Sequence, residues 1–187
     1  MKKIISIVIL GLIITSGAMA VEEVKFEIIK TNNVYEIRKY SDRLVVETST
    51  SNQNSGFRKL FNYISGNNYT NEKINMTAPV TQIEKNEGMT MQFYLPSKFK
   101  KNNAPTPLNS EVKVLNISGG YYAVIKYSGR SSDKNFIKHK YILEEELKKK
   151  DILILGPPIK ASYSSPFTLP MLKRNEVMFE IDIKTAT

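Results

Sequence analysis

The residue types that most often carry out catalysis are scarce in this sequence. Its 187 residues include no cysteine and a single histidine, His139. Disulfides, thiol nucleophiles and thiolate-bound metals are therefore excluded, and the sequence shows no nucleophile–base pair or metal cluster. A buried carboxylate such as Glu176 or Glu180 could act as a general base, but acidic residues alternating along a terminal strand are typical of its outward face. The residues favour a binding protein over an enzyme.

A loop near the C-terminus carries large apolar side chains where polar ones are usual. Loops generally run over the surface and face water. Between Pro166 and Lys173, however, the chain places four large apolar residues: Phe167, Leu169, Met171 and Leu172. Such a loop either folds down to plug the core or forms one wall of an apolar ligand pocket.

An amphipathic helix is predicted over 55–66, with Ser55 as N-cap and Gly66 as its end. Its apolar residues recur at i, i+3, i+4 and i+7, on one stripe: Phe57, Leu60, Phe61 and Ile64. The stripe can pack on a sheet and line a pocket at once. A second helix is predicted from Ser132 or Asp133 to about Lys150. The residues on its inner face are Phe136, Leu143 and Leu147, widened by Ile137 and Tyr141.

The remaining segments are predicted as strands with turns between them. Residues 24–30 and 34–40 predict one hairpin, and 111–118 and 121–128 predict another around Gly119-Gly120. Residues 72–84 alternate as a strand that is interrupted at Pro79, and 89–95 return as its partner. Each half of the chain then contains a hairpin, a helix and two strands. We expect an α+β fold, a distorted antiparallel β-barrel from two pseudo-repeated halves, flanked by two α-helices.

Residues 1–20 predict a cleaved signal peptide. Lys2 and Lys3 precede an apolar run too short to span a bilayer, and Ala18-Met19-Ala20 is a small-x-small cleavage site. No cysteine is present for a lipid anchor, so a periplasmic or secreted protein of one domain, residues 21–187, is expected. The formal charge of +9 would fall to +7 without Lys2 and Lys3. Export and dispersed charge argue against nucleic acid as the partner.

Several motifs, in order along nearly the whole mature region, resemble the SOUL haem-binding protein family. They are Tyr35-Glu36-Ile37-Arg38-Lys39-Tyr40, Gly56-Phe57 with 60–68, 73–80, 93–96, Pro105-x-Pro107, Tyr127-Ser128-Gly129, Gly156-Pro157-Pro158, Ala161-x-Tyr163 and 174–177. The resemblance implies two pseudo-repeated halves in a twisted barrel. It also implies that haem or another tetrapyrrole binds in a shallow apolar groove between the first helix and the loop before the last strand.

On this sequence the resemblance assigns the groove to residues of that helix and that loop. The apolar candidates are Leu60, Phe61, Ile64, Met76, Phe167, Leu169, Met171 and Leu172, and the candidate cations for the propionates are Arg58, Lys59, Lys173 and Arg174. Haem iron is usually held by His, Met, Tyr or Cys. His139 lies at the edge of the second helix's inner face, which makes it a poorly placed axial ligand, and the metal ligand stays unknown.

Three functions stay open at this point. The first is a monomeric, non-enzymatic carrier or buffer for haem or a related tetrapyrrole, without a membrane anchor after cleavage. The second is a binding module for another flat apolar molecule with no physiological haem role. The third is an enzyme that uses a buried carboxylate.

Overall fold

The computed structural model describes residues 21–85 and 88–186 of the chain. The predicted signal peptide, residues 1–20, lies outside the described residues. Within them, the elements in chain order are β1 (Glu22–Glu23), β2 (Glu27–Thr31), β3 (Glu36–Tyr40), β4 (Arg43–Thr50), α1 (Gln53–Ile64), β5 (Thr77–Ala78), β6 (Val80–Lys85), β7 (Gly88–Tyr94), β8 (Val112–Ile117), β9 (Gly120–Tyr127), α2 (Asp133–Lys149), β10 (Ile159–Ser162) and β11 (Asn175–Glu180). None of the helices found there is long and apolar enough to cross a membrane.

Nine of these strands form one curled antiparallel sheet in the order β2-β3-β9-β11-β10-β6-β7-β4-β8. The order β9-β11-β10 on one side of the β6–β10 pairing mirrors β4-β7-β6 on the other. Helix α2 packs on β9 and β11, and α1 packs on β4 and β7 in the equivalent position. The predicted α+β barrel of two pseudo-repeated halves with two flanking helices is confirmed.

The prediction that β8 and β9 form a hairpin is wrong. Strand β8 pairs with β4 at one edge of the sheet, whereas β9 pairs with β3 and β11 in the other half. The β3–β4 turn and the β8–β9 turn lie side by side, where the chain passes between the two halves of the sheet. The Asp42 carboxylate in the first turn accepts a hydrogen bond from the Gly119 N–H in the second at 2.8 Å. A Cβ at Gly119 would lie 2.6 Å from the Tyr40 carbonyl oxygen, so only glycine permits this crossing. The first half thus contributes β2 and β3 to the side of the sheet built by the second half, and the second half contributes β8 to the other side.

The first helix begins earlier than predicted. Helix α1 starts at Gln53, ahead of the predicted N-cap Ser55, because Asn52 caps it instead. The Asn52 side chain accepts hydrogen bonds from the N–H groups of Asn54 and Ser55, which have no acceptor within the helix. Gly66 follows the helix with φ 111°, a conformation that suits glycine at a helix end. The predicted end of the helix is therefore correct, and its start is not.

The second helix and the strand before β7 differ from the prediction in detail. Ser132 caps α2 as predicted, and Phe136, Leu143 and Leu147 are buried. Ile137 and Tyr141, predicted to widen the inner face, are instead 45% and 59% exposed. The predicted strand over 72–84 is shorter, because regular pairing in β6 starts at Val80, after Pro79.

The two faces of the sheet differ in character. On the helix face, one apolar cluster lies under α1 and another under α2. The opposite face, here named the tyrosine face, carries Tyr40, Tyr94 and Tyr122 on neighbouring parts of the curled sheet.

A buried ion pair crosses the tyrosine face. Arg38 on β3 donates to both carboxylate oxygens of Glu176 on β11, at 2.9 and 3.1 Å, and both side chains are fully buried. Burial alone would lower the pKa of Arg38, but the Glu176 carboxylate outweighs it and the pKa is raised. The pair links strands on either side of β9 and fixes the start of β11, where the apolar loop ends.

Candidate ligand-binding groove

Helix α1 presents two different flanks to its surroundings. Leu60 is fully buried and faces the sheet. Successive residues are about 100° apart around a helix, so Lys59 and Phe61 point to opposite sides of Leu60. Lys59 pairs with Glu111, just before β8, at 2.8 Å. Phe61 therefore lies on the other flank, on the side of β7.

Two aromatic rings line this second flank. Phe57 and Phe61 stack with their ring centroids 5.9 Å apart, and Phe57 also contacts Phe93 of β7 edge-on at 5.2 Å. Although they belong to the helix's apolar stripe, Phe57 is 38% exposed and Phe61 is 48% exposed. The flank is an apolar surface open to solvent.

The loop between β10 and β11 presents a second apolar surface. Its backbone is held at Pro170, whose carbonyl accepts from the Gly129 N–H at 2.9 Å, and at Tyr163, whose N–H donates to the Arg174 carbonyl at 3.1 Å. Its four large apolar side chains point outwards. The exposed fractions are 96% for Phe167, 59% for Leu169, 74% for Met171 and 69% for Leu172. The loop does not plug the core, so the first of its two predicted roles is wrong.

The sheet register sets the separation of these two surfaces. Ser162, where the loop begins, pairs with Val80 of β6, and Val80 pairs with Phe93 of β7, the residue that Phe57 contacts. Neighbouring strands lie about 4.8 Å apart, so the loop leaves the sheet about 10 Å from the strand under Phe57. We call the region between the Phe57–Phe61 flank and the loop, where the family resemblance predicts the ligand, the α1–loop groove.

The apolar residues assigned to the groove divide into exposed and buried ones. Phe61 and the four loop residues are exposed, whereas Leu60 and Ile64 belong to the core under α1. Met76 is half-buried and packs against the same core. Phe57 is not among the residues that the sequence assigns to the groove, although its helical spacing from Phe61 places both rings on one flank.

The four candidate cations are not equivalent. Arg58 is exposed, whereas Lys59 is held by Glu111 on the opposite flank. The Lys173 ammonium donates to the Pro166 carbonyl at 3.2 Å, inside the loop. Arg174 pairs with Glu176 at 3.0 Å and with Glu23 at 2.9 Å. Its charge is therefore already matched by carboxylates.

His139 lies on the other helix. Its Nδ1 is 2.8 Å from the Asn135 carbonyl oxygen and its ring stacks on Tyr127, with centroids 4.1 Å apart. Burial raises the pKa of Tyr127 to about 12, so this neighbour is a neutral phenol. Because α2 packs on β9 and β11, the structure does not bring His139 to α1. Among residues 21–85 and 88–186, no group of three or more His, Asp or Glu side chains could hold a metal ion.

Comparison with known proteins decides the family. The model of the SOUL heme-binding protein family matches residues 21–180. This chain belongs to the SOUL haem-binding protein family. It is 32% identical to "Heme-binding protein 2" of Homo sapiens and 31% identical to that of Mus musculus, with 76% of each chain covered in both cases. Membership of this family supports haem as a ligand.

Solved structures share the fold at much lower identity. A hydrolase from Listeria innocua has a TM-score of 0.58 and 8% identity, covering 82% of this chain and 94% of its own. The EcmrR C-terminal domain has a TM-score of 0.57 and 13% identity, covering 79% and 98%. At such identities the likeness shows the fold alone.

The contrast between Leu60 and Phe61 can be tested by truncation. We expect Leu60→Ala to lower the free energy of unfolding by about 2–5 kcal/mol, because it leaves a cavity in the core. Phe61→Ala should lower it by less than about 1 kcal/mol, because an exposed ring loses little on truncation. Urea unfolding of both variants measures the difference. Equal losses would make Phe61 a core residue and remove it from the groove.

Proposed function

We propose that this SOUL-family protein binds haem or a related tetrapyrrole in the α1–loop groove, as an exported carrier or buffer. The observation that carries the proposal is the pair of exposed apolar surfaces, the Phe57–Phe61 flank and the loop from Phe167 to Leu172. A tetrapyrrole is a flat apolar plate, and ligand sites are concave and mostly apolar with few polar groups. Two apolar walls that rise from one sheet suit such a plate.

The polar groups near the groove suit the propionates better than the iron. Arg58 is exposed on α1, and Lys173 lies at the end of the loop. Arginine and lysine bind carboxylates through charge-assisted hydrogen bonds. The one histidine of the chain lies on α2. We therefore expect packing and propionate contacts, rather than histidine ligation, to hold the tetrapyrrole.

A carrier role also fits the surroundings of Glu176, the carboxylate that could have served as a general base. Glu176 is fully buried and is bound by both Arg38 and Arg174. Both of its oxygens accept hydrogen bonds from these guanidinium groups, so the carboxylate is already engaged in an ion-pair network. SOUL is a binding family, and we infer that this member has no catalytic activity.

Export is the second part of the proposal, and it rests on residues 1–20. We expect the full-length chain, expressed in a bacterium with a periplasm, to be recovered from the periplasmic fraction with Val21 as its first residue. N-terminal sequencing of the fractionated protein measures this. Replacing Ala18 and Ala20 by bulky residues should block cleavage. Recovery of uncleaved protein from the cytoplasm would refute export.

Haem binding in the groove is tested by titrating the purified protein with haemin and following the Soret absorbance. We expect saturable binding that Phe61→Asp and Phe167→Asp each weaken by about tenfold or more, because each places a charge against the apolar plate. His139→Ala should leave binding unchanged.

Tyr141→Asp is the matched control, because Tyr141 is an aromatic residue that is 59% exposed on the other helix. It should bind haemin as the unmodified protein does. Loss of binding in His139→Ala alone would place the site on α2. Non-saturable binding that is insensitive to all four changes would favour another flat apolar ligand.

A further inference from the structure

The loop between β10 and β11 carries the most exposed apolar side chains of the described residues. Phe167 is 96% exposed and Met171 is 74% exposed, the two highest values among the large apolar side chains there. Leu172 and Leu169 beside them are 69% and 59% exposed. Apolar side chains gathered on a surface mark a contact site for a ligand, another protein or a membrane. The exposure of Phe167 on nearly all sides is more than one wall of a groove requires.

The backbone of this loop is largely paired within the loop itself. Of the eight residues from Pro166 to Lys173, the two prolines carry no N–H group. Four of the other six N–H groups donate within the loop or to the residue before it. The donors are Phe167 and Thr168, to Ser165, and Leu172 and Lys173, to the carbonyls of Leu169 and Pro170. An unpaired backbone group is costly in a bilayer, where water is absent, and the internal pairing reduces that cost.

A basic residue lies beside the loop. The Gly129 N–H donates to the Pro170 carbonyl at 2.9 Å, and the hydroxyl oxygens of Ser131 and Ser162 are 3.2 Å apart. Arg130 lies between these two contacts along the chain and is exposed. Its guanidinium group can therefore approach a surface that the loop touches.

The charge around the loop is positive. The two segments that meet there, 126–132 and 160–175, contain five Lys or Arg residues and no Asp or Glu. Arg130 and Lys173 have no carboxylate within 4.0 Å among the described residues. Both charges are therefore available to an anionic surface.

We propose that the loop from Phe167 to Leu172 inserts reversibly into the surface of an anionic phospholipid bilayer, with Arg130 and Lys173 against the lipid headgroups. Binding at a bilayer surface grows with the apolar area that is buried and with the attraction of basic residues to anionic lipids. A surface that is anionic throughout matches this pattern better than a protein interface, whose rim is mixed and polar. The contact goes beyond the proposed function, because it does not require a bound tetrapyrrole.

Insertion is tested with a fluorescent side chain placed in the loop. The chain contains no tryptophan, so the Phe167→Trp variant reports on the surroundings of that one position. Vesicles of phosphatidylcholine and phosphatidylglycerol in equal parts should shift its emission to shorter wavelength, because the indole ring leaves water. Tyr141→Trp, at an exposed aromatic position of α2, is the matched control and should keep its emission unchanged.

Co-sedimentation with the same vesicles measures the affinity and separates it from haem binding. We expect Phe167→Asp and Arg130→Glu each to weaken vesicle binding by about tenfold or more. Arg130→Glu should leave haemin binding unchanged. Phe61→Asp, which is expected to weaken haemin binding, should leave vesicle binding unchanged. The membrane contact and the haem site therefore succeed or fail separately.

Three results would overturn the proposal. The first is an emission of the Phe167→Trp variant that vesicles do not shift, or that shifts no more than the emission of Tyr141→Trp. The second is equal binding to vesicles of phosphatidylcholine alone, which would remove the contribution of charge. The third is an emission that is already shifted without vesicles in a protein that sediments as a dimer, which would assign the loop to a contact between two copies of the chain.

Discussion

The pairing of β6 with β10 is the constraint on which the rest of the structure depends. It joins the two pseudo-repeated halves. Its register, in which Ile159 pairs with Ile83 and Ser162 with Val80, fixes the position of one half relative to the other. A one-residue slip in a β-pairing moves every side chain to the other face. Such a slip here would turn Ser162 to the opposite face from Val80 and would move the loop relative to α1. The position of the proposed groove thus depends on strand register.

The packing of the two helices around this strand pair bears on why apolar residues remain exposed near the proposed groove. Helix α1 packs mainly over β4 and β7, and α2 mainly over β9 and β11. Among the described residues, only the first turn of α2 is seen to reach β10, where Asp133 pairs with Lys160 at 3.0 Å. Phe61 on α1 and Phe167 on the β10–β11 loop stay 48% and 96% exposed. Their exposure is unusual for such large apolar side chains, and apolar surface left open in this way is typical of a binding site.

Much of this architecture follows from sequence patterns. The helical stripe of α1, the N-cap Ser132 and the apolar loop are predictable, because local periodicity and turn chemistry determine them. The partner of β8 is not, because Gly119-Gly120 is equally suited to a tight hairpin and to the crossing observed. The stacking of Arg43 on Tyr94 and Tyr122 carries no signal in the sequence, because these tyrosines are distant along the chain. Phe57 is predictable as part of a stripe, but its exposure depends on where α1 sits on the sheet.

The central claim is that the tetrapyrrole lies between α1 and the β10–β11 loop. The most direct measurement is the mapping of amide resonances by NMR as haemin is added to the isotopically labelled protein. The account predicts that the changes concentrate in residues 57–64 and 163–174, and leave the surroundings of His139 on α2 unaffected. Changes centred on α2 would contradict it.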